Sequence, residues 1–210
     1  MKHATNAVRS ALEAAAALLS ARDIASRPLE RPNERLRWGA GAHDGVQVPT
    51  ANGRTAVLSF AAEREAAVAM VRPTLRVLTG SWPQTDLVAQ TTATGLWLLV
   101  VLRGPGAPQR FPMPMRLAEH LTTEMMPSGA VDVVDQPTGS TVGRFLRPWG
   151  CDAMYRQLPV EFALTGSTVT LQVQHHQVHY PALATCLYTD SSSATRFSAG
   201  ALPSRLSPLV

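Results

Sequence analysis

The chain has 210 residues, 45% of them apolar and only 16% charged, with a net charge of +4. That length supports one core with an appended arm rather than two full domains, and it needs no disulfide staples. The charge is too small and too spread for a clustered nucleic-acid footprint, and no apolar run reaches the roughly 18 residues of a membrane-spanning helix.

Residues 4–25 carry the clearest helical signal. Ala, Leu and Glu dominate, and Thr5 or Asn6 can cap the start by accepting a backbone N–H. Val8, Ala11, Leu12, Ala15, Leu18, Leu19 and Arg22 follow the three-and-four spacing of one face. That face is built mostly of small side chains, so its burial at ~25 cal/mol per Å² gains little. It needs a partner surface, in its own domain or on a neighbouring subunit. Glu13 interrupts the apolar stretch behind Lys2 and Arg9, which makes a poor signal-peptide core. The chain reads as intracellular at synthesis.

Pro28 and Pro32 end the helix. Residues 26–54 show little periodicity and read as an extended connector. A tight turn closes it at Asn52–Gly53, a pair that tolerates positive φ. Arg27, Arg31, Arg35 and Arg37 recur here, but Glu30 and Glu34 interleave with them. A solvated, self-paired segment fits that pattern better than a nucleic-acid arm.

From residue 55 short apolar runs alternate with turn residues. Strands are predicted over 55–60, 74–80, 96–102, 131–135, 141–146, 159–164, 167–175 and 182–189. The run Leu96–Leu102 is apolar throughout. Its valines and its bounding Gly95 and Gly104 favour a central strand covered on both faces over a helical piece. Residues 61–71 (AAEREAAVAMV) and 116–126 (RLAEHLTTEMM) read as short helices. Residues 103–115, with four prolines and two glycines, read as loop. Turn spacing along the later half has the rhythm of a sandwich or barrel. The expected fold is mainly β within the α+β class: a β-sandwich or barrel core with an N-terminal helical arm and one or two short helices. Its parts are an arm and connector (1–54), a β-rich core (55–190) and a flexible or partner-docked tail (191–210).

The histidines of TLQVQHHQVHY raise the question of a metal site. Val169, Leu171 and Val173 alternate with Thr170, Gln172 and Gln174 as on a half-exposed strand. Residues two apart share a face, and no His-x-His occurs. His175 and His179 would lie about 13 Å apart at roughly 3.3 Å per residue. The apolar phase flips after Val173, which predicts a bulge, bend or strand end at 175–177. Cys151 and Cys186 are too few and too far apart for a disulfide framework or a CxxC zinc module. Both read as core cysteines. His43 and Asp44 sit in a Gly-rich loop as turn-formers, and His120 with Glu124 would pair on the second short helix. Arg37–Trp38 and Arg147–Pro148–Trp149 are local Arg–Trp neighbours. No catalytic, cofactor or metal residues are assigned, and no cofactor is expected.

Low charge, an arm, a long proline-rich segment and a small-residue tail suit a subunit that reaches its neighbours in a symmetric assembly. The arginine-rich, lysine-poor usage (one lysine, Lys2) fits a GC-rich host. The expectation is a structural, self-assembling virion component: a bacteriophage neck, tail or baseplate ring protein, or a capsid protein. It would form homo-oligomers and contact other structural proteins, with no membrane partner and weak support for nucleic acid. It would be assembled in the host cytoplasm and would not be an enzyme. The alternative is a metal-binding or hydrolytic β-barrel enzyme using His175, His176 and His179, with Cys151 or Cys186 gathered by the fold.

Overall fold

The computed structural model describes residues 9–11, 13–15, 36–39, 44–61, 67–92 and 94–190. The tail from Ser191, His43, and most of the predicted helix over 4–25 lie outside these residues. Fifteen strands run through the described residues: β1 (Arg37–Trp38), β2 (Val46–Pro49), β3 (Thr55–Leu58), β4 (Ala67–Arg72), β5 (Leu75–Trp82), β6 (Thr85–Thr91), β7 (Gly95–Leu102), β8 (Arg110–Leu117), β9 (Leu121–Met125), β10 (Val131–Asp135), β11 (Ser140–Phe145), β12 (Trp149–Cys151), β13 (Val160–Thr165), β14 (Thr168–Val173) and β15 (Ala182–Asp190).

They form two antiparallel sheets. One has the order β1-β2-β3-β8-β14-β13. The other runs β4-β5-β6-β7-β15-β11-β10-β9, with β12 also paired to β15. No barrel closes. This is the mainly β, two-sheet body that alternation and turn spacing predict. No helix among the described residues is long and apolar enough to cross a membrane.

Alternate residues of both sheets meet in one apolar interior. Leu58, Phe111 and Leu171 come from the first sheet; Leu87, Leu98 and Val133 come from the second. Each such side chain, fully buried, contributes about 1.5–3 kcal/mol. A second apolar cluster lies on the outer face of the second sheet. There Val77, Val88, Leu99, Val101 and Leu183 pack with Ala11 and Ala15 of the N-terminal helix. The helix therefore finds its partner surface in its own domain. This also explains the unbroken apolar run of β7: Leu96, Leu98, Val100 and Leu102 enter the inner core, while Leu99 and Val101 enter the outer one.

Four local expectations are corrected. Within 61–71, Ala67 to Val71 belong to strand β4, which pairs with β5 across the two-residue turn Pro73–Thr74. Alanine's helix preference is worth only tenths of a kcal/mol per residue, and hairpin pairing outweighs it. Residues 62–66 of that predicted helix lie outside the described residues; within 116–126, all of which are described, there is no helix. His120 sits in a turn at φ 65, and β9 then pairs with β10 from Leu121↔Asp135 to Met125↔Val131. Thr122 and Thr123 favour that extended state.

The predicted loop over 103–115 becomes strand from Arg110 onward. Pro112 and Pro114 survive in β8 because their backbone faces Ser59 and Ala61 beyond the end of β3, so each gives up only the donor half of a pair outside the regular ladder. Their carbonyls accept from Ala61 (3.2 Å) and Ser59 (2.9 Å), where the chain has passed the end of β3. The alternate residues Phe111, Met113 and Met115 point into the core. Lastly, the connector over 26–54 contains β1 and β2, whose Val46 and Val48 join the inner core. Strand β6 had no clear sequence signal of its own.

Candidate functional site

Strand β14 ends at Val173, and a turn follows at His176–Gln177 with Gln177 at φ 58. This is the strand end that the phase flip predicts. His175 turns inward and is buried. Its Nδ1 meets the Tyr180 hydroxyl at 2.8 Å and its Nε2 faces the Pro108 carbonyl at 3.2 Å. A carbonyl only accepts, so Nε2 carries the proton. His175 thereby ties the β7–β8 loop to its own turn.

His176 is exposed and hydrogen-bonds the side chain of Gln109. Its ring stacks near that of His175, centroid to centroid 6.2 Å. His179 contributes backbone: its N–H donates to Asp152 Oδ2 at 3.3 Å, and its carbonyl accepts from Ala153 at 2.9 Å. Among the described residues, no three His, Cys, Asp or Glu side chains gather as a metal-ligand set. Cys151 lies in the outer core and Cys186 in the inner one, on opposite faces of the same sheet. The two are not bridged. Burial pushes the Cys186 thiol up to about 12, far from the range of a nucleophile.

The other sequence candidates resolve simply. His120 Nε2 lies 3.5 Å from Glu119 Oε1, on the turn, rather than pairing with Glu124 on a helix. Trp38 is covered by the guanidinium of Arg76, 5.0 Å from the ring centroid, and that arginine comes from β5 rather than from its neighbour in sequence.

Sequence reading missed the centre of this end of the molecule, Asp152. Its carboxylate is wholly buried. It accepts from the backbone of Met154 (2.9 Å) and Arg156 (3.0 Å), and from Arg156 Nε (2.8 Å) and Nη2 (2.6 Å). Burial opposes its ionisation, but the Arg156 side chain and the surrounding N–H groups outweigh that and hold the carboxyl below its ordinary value. The loop wound around Asp152 puts Tyr155 at φ 59 and turns Met154 and Tyr155 to solvent, at 64% and 44% exposure. The one available signal was an acid and an arginine four residues apart in a short Gly-bounded segment.

Beside this loop a cleft of about 440 Å³ runs along β13, facing the β9–β10 turn and the start of β12. Arg147, Trp149, Gln157, Glu161, Gln172 and Gln174 line it. At the far edge of the other sheet, β4 pairs, among the described residues, only with β5, and Met70 is 66% exposed. Compared with known protein families and with curated proteins, the sequence matches none.

Proposed function

We propose that this protein is a structural subunit that assembles with copies of itself through protein–protein contacts. Within that class we favour a virion component: a bacteriophage neck, tail or baseplate ring protein, or a capsid protein. The observation that carries the reading is the open edge of β4. Ala67 and Ala69 stand opposite Thr79 and Val77 of β5, whose backbone groups face β4. Thr74 bonds Thr91 on the other side, which sets that alternation. The N–H and C=O groups of Val68 and Met70 therefore point away from the sheet. Such an edge is a template for another strand, and proteins that stay apart usually blunt it with lysine, proline or a bulge. A register shift between Met70 and Arg72 disturbs only the C-terminal end of β4; before Arg72 the strand carries no charge and no proline, and it presents Met70 and Val71 to solvent.

The low charged fraction supports the same reading, since interface cores are depleted in charge. The virion assignment draws further support from the arginine-rich, lysine-poor composition. Sedimentation velocity and negative-stain microscopy test it. Concentration-dependent oligomers or rings are expected, and Met70→Lys with Val71→Lys should shift them toward monomer. A strict monomer at every concentration, with no ring or shell in the images, would sink the proposal.

A further inference from the structure

We infer that the cleft along β13 is a carbohydrate-binding site that takes a short neutral oligosaccharide. This goes beyond the assembly reading and does not depend on it. The walls are preformed. Leu158 N–H donates to the Gly150 carbonyl at 3.0 Å, and Thr123 Oγ1 donates to the Gly166 carbonyl at 3.0 Å, so the two sheets are tied together on either side of β13. The cleft is open to solvent along one side, and its volume falls within the range that holds small ligands, roughly 300–1,000 Å³.

The lining chemistry selects the ligand. Gln157, Gln172 and Gln174 converge on the cleft, and none of them spends its side-chain amide on another described residue. Gln172 of β14 and Gln174, just past its end, both lie on the outward side because Leu171 and Val173 go into the core. A primary amide offers two donors and an acceptor. A sugar hydroxyl is both donor and acceptor, so uncharged amides match it without desolvating an ion. Trp149 packs against the outer cluster of the second sheet, and the half-buried part that lines the cleft adds apolar area for the C–H face of a pyranose ring across the sheet edge from the glutamines. Alternation along β13 adds backbone groups. Val173 bonds Gln109 on one side and Gln174 bonds Pro159 on the other, so the N–H and C=O of Val160 and Phe162 point outward from the sheet.

Other ligand classes fit less well. A phosphate needs clustered cations or a helix N-terminus, and Arg147 is the single cation of the lining. A divalent cation needs several oxygen ligands with charge, and Glu161 is the single carboxylate. An extended peptide could use the edge of β13 but would leave the three amides without a role.

The test uses the full chain and three neutral trisaccharides: maltotriose, cellotriose and chitotriose. Saturation-transfer NMR and calorimetry are expected to show at least one binding with a Kd of about 1 mM or tighter. Gln172→Ala with Gln174→Ala lies on an exposed strand face. It should weaken that binding about tenfold or more at an unchanged melting temperature. Trp149→Ala should abolish it, and Trp149→Phe, which keeps an aromatic face, should restore part of it if the loss is not one of folding. No transfer to any of the three sugars at about 10 mM overturns the inference, as does binding that is indifferent to the double glutamine variant. The Met70 and Val71 substitutions leave the cleft intact, so the assembly reading and this one fail separately.

Discussion

Oδ2 of Asp86 lies 3.3 Å from Nε of Arg103, yet the carboxylate is wholly buried while the guanidinium is 40% exposed. Neither carboxylate oxygen accepts a hydrogen bond of ordinary geometry. Burial raises the Asp86 carboxyl above its ordinary value, and the Arg103 charge and the backbone N–H of Gly80 offset that only in part. A carboxyl raised in this way binds its proton more tightly in the folded state. Its contribution is fully present below the unfolded value and is lost as pH rises through the folded one. Asp86→Asn removes the ionisable group. Urea unfolding should show the variant about 1 kcal/mol more stable at pH 7, with the gap closing below a pH of about 4. A less stable variant at pH 7 would mean that the Arg103 pair outweighs burial.

Asp152 has the opposite sign. Its carboxyl is lowered in the folded state, so its stabilisation is present above the ordinary aspartate value and is lost as pH falls through the lowered one. Asp152→Ala leaves the N–H groups of Met154 and Arg156 without their acceptor. A loss of about 2 kcal/mol at pH 7 is expected, together with faster proteolysis within 152–157. The acid limb of the wild-type stability curve should flatten in the variant. An unchanged acid limb would show that Asp152 is not the titrating group.

Gly143 on β11 lies under the Tyr188 hydroxyl, which donates to the Pro49 carbonyl at 3.2 Å in the core. A Cβ at 143 would overlap Tyr188 Oη. Gly143→Ala should cost about 2 kcal/mol by overpacking, and Tyr188→Phe about 1 kcal/mol by removing the hydrogen bond. Removing the hydroxyl also removes the nearest obstacle. Thermal melts of the double variant should therefore show less than the sum of the two losses. Additive losses would place the strain elsewhere.

The Cys186 thiol, raised from 9.0 to about 12 by full burial, should resist alkylation in the native protein. Iodoacetamide at pH 8, followed by peptide mass mapping, should label Cys186 only after unfolding. Its thiolate fraction in the native state is about a thousandfold below that of a free thiol. Rapid labelling under native conditions would mean that the inner core opens locally.

Some of this was legible along the chain and some was not. The strand at 167–175 showed itself through alternation, and its end at His175–Gln177 through a broken phase, because both are local consequences of a two-residue period. The strand at 96–102 showed itself through an unbroken apolar run. The proline-bearing strand β8 did not, because Pro112 and Pro114 are tolerable only where the neighbouring strand has ended and their missing N–H groups break no ladder pair. Nothing local says which neighbour that will be. Strands β4 and β9 were hidden by alanine, leucine and glutamate, whose helical preference is small beside the pairing that β5 and β10 impose.

By itself, then, the sequence determined a mainly β body, an apolar helical arm in need of a surface, a break after Val173 and histidines with no His-x-His pair on a strand face. Those follow from side-chain period and backbone preference, which act over a few residues. Only the tertiary structure decided that Ala11 and Ala15 of the arm pack on the outer face of their own sheet. Only it showed that Asp152 organises the loop bearing Met154 and Tyr155, and that Trp149, Gln172 and Gln174 line one cleft from two different sheets. Those relationships join residues far apart in sequence, and burial and strand order create them once the two sheets have closed on a common core.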